Sequence, residues 1–318
     1  MVRSWLMLVA FCLIGIAGPG IAQTSFAGKP LHWVVPFAPG GPADAVARVV
    51  AQQLSEQLAQ PVLIENRAGA SGNLGSEQVA RGAADGTVML MVTPGLISNP
   101  LFYRNSLDPR ELRALIQLTR VSFVLLASQG FAAHNIDELV ATIKAKPGTV
   151  TCAASGALPT VACVMLASYA QAEVVRVQYK GNAPALNALM GGEINILFDV
   201  VNTALPQVRS GRVRALASSF PKRGSQPFPD LPVLAESMPG FEMISWQGLM
   251  VPRATPTDTV QRLNRAIASV LNAPLVRQRI QDAGLEVAPG SAEAFQEIVD
   301  HDQQRYTRVL QAAGITPE

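Results

Sequence analysis

The chain has 318 residues, of which 49% are hydrophobic and 15% charged, with a net charge of +2. That length accommodates one large or two ordinary domains, and the apolar content excludes a disordered chain. So small and dispersed a charge excludes a nucleic-acid binder. The one basic bunch, Arg209, Arg212 and Arg214, reads as a solvated helix end running into a strand.

The N-terminus reads as an export leader. Arg3 supplies the positive region, residues 6–16 the apolar core, and Gly20-Ile21-Ala22 the small residues, with cleavage expected after Ala22. The core is too short to span a bilayer. Phe11 stands before Cys12 where a lipoprotein leader needs a small residue, so no lipid anchor is expected. The mature protein (residues 23–318) is therefore expected in the periplasm. It retains Cys152 and Cys163. An oxidising compartment permits a disulfide, worth about 3 kcal/mol for so short a loop. Two small buried hydrophobes are the other reading, and the spacing leaves both open.

Leu31-His32-Trp33-Val34-Val35 reads as a buried strand. Pro36 and Pro39 stop it, Gly40-Gly41 frees the backbone, and Pro42 suits the first position of a helix whose apolar residues recur through Leu58. Such a helix start presents free amides to an anion. A second strand over 61–65 runs into the glycine-rich turn 66–75 and a helix to about Arg81. No Gly-Lys-Ser/Thr ends that turn, so it is not a phosphate loop. A strand over 87–92 ends at Thr93-Pro94-Gly95, and 99–109 reads as irregular. Residues 112–118 lead into an apolar run, 121–127, where the chain is expected to cross to a second domain.

Beyond it, helices over 136–146, 160–170, 184–190 and 204–210 alternate with strands over 149–153, 174–177, 194–198 and 213–217. Residues 154–159 form a loop of small residues. A surface loop (218–232) and a short helix (233–238) follow, and the run 246–251 is the expected return crossing. Helices over 256–271, 274–283 and 292–313 close the chain. The alternation predicts an α/β protein of two lobes, each a mostly parallel sheet covered by helices, with a ligand cleft between them. Lobe 1 is expected over 23–121 and 249–318, and lobe 2 over 122–248.

No catalytic constellation stands out. His32, His134 and His301 have no metal-ligand spacing, and there is no C-x-x-C and no G-x-S-x-G. Asp44 and Asp199 could pair as acid and base, but a first-turn helix residue and a cap explain them as well. No enzyme activity, metal or cofactor is expected.

Motifs recur in a characteristic order: Pro36 to Asp44, Glu65-Asn66-Arg67 with its glycine loop, Asp85-Gly86, Tyr179-Lys180-Gly181 with Pro184-Ala185-Leu186, and Phe198-Asp199. Arg214-Ala215-Leu216-Ala217, Pro229-Asp230-Leu231-Pro232 and Trp246-Gln247-Gly248-Leu249 complete the set. The mature chain thereby resembles the Bug family of periplasmic solute receptors, the TctC-like component of tripartite tricarboxylate transporters. The resemblance implies a Venus-flytrap fold closing on a small carboxylate. It implies that backbone amides and ordered waters hold the carboxylate at Phe37, Ala38, Gly40 and Gly41, with Asp44 as the acidic position of that loop. Gly69, Gly72 and Thr93 line the same lobe. Ser155, Gly156, Thr160 and Asp199 match positions of the other. It also implies a monomer with integral-membrane transporter subunits as partners and no nucleic acid. A receptor that docks on a sensor kinase without transport is the alternative. The chain departs from the family in having few hydroxyls at Pro42-Ala43 and at Ala154, Ala157, Leu158, Val161 and Ala162. A monocarboxylate, or an acid with an apolar or aromatic body, is therefore expected over citrate or glutamate.

Overall fold

The first βα unit sets the pattern. In β1 (Leu31–Val35) all residues except His32 are buried. The chain turns at Gly40 and enters α1 (Pro42–Leu58), which buries Val46, Val50 and Leu54 along one face. Helical spacing places those residues on one stripe, and the stripe must cover a sheet. The structure, a computed structural model, describes residues 28–220, 222–224, 227–241 and 243–317. The expected leader, its cleavage site and Cys12 lie outside the described residues.

The remaining elements follow in order: β2 (Val62–Asn66), α2 (Asn73–Ala80), β3 (Val88–Val92), α3 (Gly95–Phe102), β4 (Leu112–Ser128), α4 (Ile136–Ala145), β5 (Thr151–Ala154) and α5 (Ala157–Ala170). Next come β6 (Val175–Gln178), α6 (Asn182–Met190), β7 (Ile196–Val200), α7 (Val201–Arg209), β8 (Val213–Ser218) and α8 (Leu234–Ser237). Then β9 (Ile244–Pro252), α9 (Thr257–Asn272), α10 (Pro274–Asp282), β10 (Glu286–Val287) and α11 (Ala292–Ala312) complete the chain.

The strands run in the order β2-β1-β3-β9-β4-β7-β5-β6, with β8 and β10 also paired to β4. β1 pairs parallel with β2 and β3, and β5 pairs parallel with β6 and β7, as βα units require. Every antiparallel pairing among the described strands involves β4 or β9. The 17-residue β4 changes partner along its length. It pairs with β9 through Ser122 and with β7 from Phe123. One strand thus joins a half built on β1–β3 to a half built on β5–β8.

Each half has apolar clusters on the two faces of its sheet. One packs α1, α9 and α10 against Trp33, Met89 and Met91; another packs α4 and α5 against Leu125 and Phe198. A third gathers Trp246, Phe295 and Tyr306 with Val161 and Val164 of α5, so α5 leans on α11 across the two halves.

Three local readings change. Residues 95–102, read partly as irregular, form α3 despite an internal Pro100. Burial of Leu96 and Ile97 outweighs the one helical bond that a proline removes. α5 starts three residues before Thr160 and absorbs the end of the small-residue loop. The two-residue β10 carried no sequence signal; it pairs with β4, where Arg120 Nε donates to Glu286 Oε2 at 2.9 Å.

Candidate functional site

The loops at the carboxyl ends of the strands converge on a cleft of about 890 Å³. From the first half it is lined by Pro36, Phe37 and Ala38 after β1, and by Ala68, Gly69, Ser71 and Gly72 after β2. Gly95, Asn99, Phe102 and Tyr103 of the α3 region and the tail residues Ile315 and Thr316 also line it. The opposite wall is Ala154, Gly156, Ala157 and Thr160 around the start of α5, with Arg176, Gln178 and Tyr179 from β6. Arg176 is the one charged side chain among the described lining residues.

The loop after β1 is braced from within. Asp44 Oδ2 accepts from the Gly40 amide and from Arg48 Nε, each at 2.9 Å. Asp44 Oδ1 accepts from Asn66 Nδ2 at 2.9 Å, and Asn66 Nδ2 also reaches the Phe37 carbonyl at 3.2 Å. The Arg48 guanidinium beside it, helped by the Gly40 amide and Asn66, lowers the Asp44 carboxyl to about 2 against the cost of burial. Gly40 sits at φ +83°, a conformation that favours glycine. Gly40, Gly41 and Asp44 therefore shape the loop without lining the cleft, and the Gly40 amide is already spent. Only Pro36, Phe37 and Ala38 of that loop line the cleft.

The wall after β2 is conformationally tight. Ala70 and Ser71 both hold left-handed backbones, at φ 46° and 56°. Such residues cost free energy and persist where surroundings fix them. Here Asn99 Nδ2 donates to the Ser71 carbonyl at 2.8 Å. Gly69 and Gly72 line the cleft, whereas Thr93 lies behind this wall beside Ser71 and Asn99, its hydroxyl accepting from the Gly95 amide at 3.3 Å.

On the far wall Gly156 caps α5 with no side-chain cap. The first-turn amides of Ala157 and Leu158 have no partner within the helix, and Pro159 has no N–H to offer. Thr160 Oγ1 donates to the Gly156 carbonyl at 2.7 Å, which leaves its oxygen as an acceptor. A disulfide joins Cys152 and Cys163, with Cα atoms 6.0 Å apart. It brackets the segment that supplies Ala154, Gly156, Ala157 and Thr160. Ser155 and Asp199 do not line the cleft. Ser155 Oγ and Asp199 Oδ2 are buried without hydrogen-bond partners, while Asp199 Oδ1 accepts from Asn182 and Thr203. Burial pushes the Asp199 carboxyl up, against the hydrogen bonds from Thr203 and Asn182.

The profile of the family described as the tripartite tricarboxylate transporter family receptor matches residues 46–315. The chain belongs to this family. Three solved structures show the same two-lobed periplasmic-binding fold. The chain is 31% identical to the periplasmic binding protein BugD, covering 91% of itself and 99% of BugD, with a TM-score of 0.72. It is 31% identical to Rpa4515 of R. palustris, solved with adipate, over 91% and 99% of the two chains at a TM-score of 0.76. It is 29% identical to MatC of Rhodopseudomonas palustris, solved with malate, over 89% and 99% at 0.72.

In this member of the family, several cleft residues escape motif reading. Arg176 and Gln178 alternate with Val175 and Val177 on β6. That period of two marks a polar face, but nothing local says the face looks into a cleft. Asn99 and Phe102 are one helical turn apart on α3, a helix that its internal Pro100 hides from pattern reading. Ile315 and Thr316 belong to the tail after α11 and reach the cleft only through the fold.

Proposed function

We propose that the mature protein is a periplasmic receptor that captures a small carboxylate with an apolar or aromatic body and passes it to integral-membrane transporter subunits. The observation that carries this reading is the cleft lining: one cation, no acid among the described residues, and apolar surface from Phe37, Phe102, Tyr103 and Ile315. A carboxylate offers acceptors only, and the starts of α3 and α5 turn their N-terminal ends toward the cleft at Gly95 and Gly156. The scarcity of hydroxyls in the small-residue segment from Ala154 to Ala157 favours an apolar-bodied acid over citrate. Relatives solved with adipate and malate support the acid class.

The lobes divide near 121/122, in keeping with the partner change of β4; the return expected near 248/249 is drawn back to the start of β9, because Ile244 to Gly248 already pair with Ser122 to Gln117 of β4. Ligand contacts on both lobes favour the closed state, which docks on the membrane subunits. The receptor acts as a monomer after its leader is cleaved behind Ala22, and it releases its ligand unchanged.

Native mass spectrometry of mature protein purified from a periplasm, followed by a thermal-shift panel of mono-, di- and tricarboxylates, tests this. An acid at a hundredfold excess over its Kd stabilises by about 2.7 kcal/mol. That raises Tm by about 4 °C for a chain of this length. A flat panel, conversion of a bound acid, or tighter binding of citrate than of every apolar-bodied acid overturns the reading.

A further inference from the structure

We propose that the groove between α5 and α11, outside the interlobe cleft, is a second binding site for a monoanion with an extended apolar body. The site stands whatever the cleft holds. The groove has a volume of about 560 Å³. Small-molecule sites span roughly 300–1,000 Å³ and are mostly apolar with a few polar groups. α5 and the turn after α8 form one wall, and the last turns of α11 form the other. The walls therefore come from the two halves of the molecule. Val164, Met238 and Phe241 are buried where they line the groove. Val164 belongs to the apolar cluster around Trp246, whereas Met238 and Phe241 belong to the one around Phe198. The groove is thus a seam where two cores meet without filling the space between them.

Two features keep the seam open. α11 ends there in Ala312 and Ala313, where longer side chains would close it. The Tyr169 hydroxyl donates to the Ser237 carbonyl, which fixes the ring as part of the wall. The charges then decide what fits. Arg176 and Arg308 line the groove, and no acid does so among the described residues. Neither guanidinium has an ion-pair or hydrogen-bond partner among the described residues. Arg176 also borders the interlobe cleft, whereas Arg308 lines the groove and not the cleft. An exposed arginine by itself is ordinarily a solvated surface group. Beside an apolar seam, two of them have a complementary occupant. An anionic head accepts from a guanidinium fork, and an apolar body removes Val164, Met238 and Phe241 from water. A neutral apolar molecule leaves the cations unanswered. A second charge would be stranded on the apolar floor.

The test is calorimetric titration of the mature protein with octanoate and with 1-octanol, while NMR of methyl-labelled methionines locates the site. Met165 and Met238 line the groove, and no methionine lines the interlobe cleft among the described residues. Octanoate is expected to bind at least tenfold more tightly than 1-octanol and to shift the methyl signals of both methionines. Arg308→Gln is expected to weaken octanoate at least threefold, and Arg308→Lys less. Ala312→Trp fills the groove and is expected to weaken octanoate at least tenfold. Both positions are exposed, so the unliganded Tm of these variants stays near that of the wild type. Octanoate that binds without moving either methionine signal lies elsewhere and overturns the proposal. Binding no tighter than that of 1-octanol, or no binding, overturns it too. A dimer that Ala312→Trp breaks, with no octanoate bound, assigns the groove to a second copy of the chain and overturns it as well. All of these outcomes leave the receptor reading intact.

Discussion

The Asp44 carboxylate accepts a hydrogen bond from the Gly40 amide at 2.9 Å. A free carboxylate in this loop would repel an anionic ligand. Here Arg48 and Asn66 complete its coordination, and the charge is held inside the loop.

Asp44→Ala strips the brace and leaves the Gly40 amide unpaired. The expected cost is about 1–3 kcal/mol, with weaker ligand binding because Phe37 and Ala38 lose their frame. Urea unfolding against pH checks the charge through Asp44→Asn. The folded carboxyl titrates at about 2, below its ordinary 3.8, so the folded state favours the ionised form. Its stabilisation is present above 3.8 and is lost as pH falls through about 2. The wild-type advantage over Asp44→Asn should shrink across that window. An advantage that grows on acidification contradicts the brace.

Asp199 carries the opposite sign. Burial raises its carboxyl above 3.8, so the folded state favours the neutral form. Its contribution is present below 3.8 and is lost as pH rises through the elevated folded value. Asp199→Asn keeps an oxygen for Asn182 and Thr203 and is expected to match or exceed wild-type stability at neutral pH. Its relative gain should narrow on acidification. A large loss at neutral pH would show that the ionised carboxylate is needed.

The Cys152–Cys163 bond encloses the α5 side of the cleft. Replacing both residues by alanine should cost about 2–4 kcal/mol in thermal or urea unfolding. Ligand affinity should fall too, since the enclosed segment presents Gly156 and Ala157. Mass mapping after thiol labelling of the denatured, unreduced protein should find both residues unlabelled; a label on either removes the explanation.

Gly248 lies where β9 passes under α11. A Cβ there would overlap the Phe295 ring and stand 2.8 Å from the Ile116 carbonyl oxygen. Phe295 packs edge-on against Trp246, with centroids 5.2 Å apart. Gly248→Ala should destabilise by about 1–3 kcal/mol and shift the emission of Trp246 as the ring moves. A variant with unchanged Tm and emission would mean the crossing has room to spare.

Local physics made most of the elements readable. The β-branched run in β1, the apolar stripe of α1 and the Pro36–Pro42 turn are properties of contiguous residues, and they are found where the chain predicts them. The family resemblance reads from motif order in the same way, and the family profile bears it out. α3 and β10 were harder for a local reason. Pro100 masks a short helix that burial holds together, and two residues are too few to show a period.

By itself, then, the sequence determined the alternating α/β order, the glycine turns after β1 and β2, and the receptor family. Each depends on backbone preference and side-chain pattern within a few neighbouring residues. Tertiary structure alone decided how those turns are used. It turned Asp44 inward onto Gly40 and Arg48, joined Cys152 to Cys163, left Ser155 and Asp199 outside the cleft, and brought Arg176 and Phe37 to one cleft. Those choices are set by contacts between segments far apart in the chain, where pairing register and packing fix which side chain meets which.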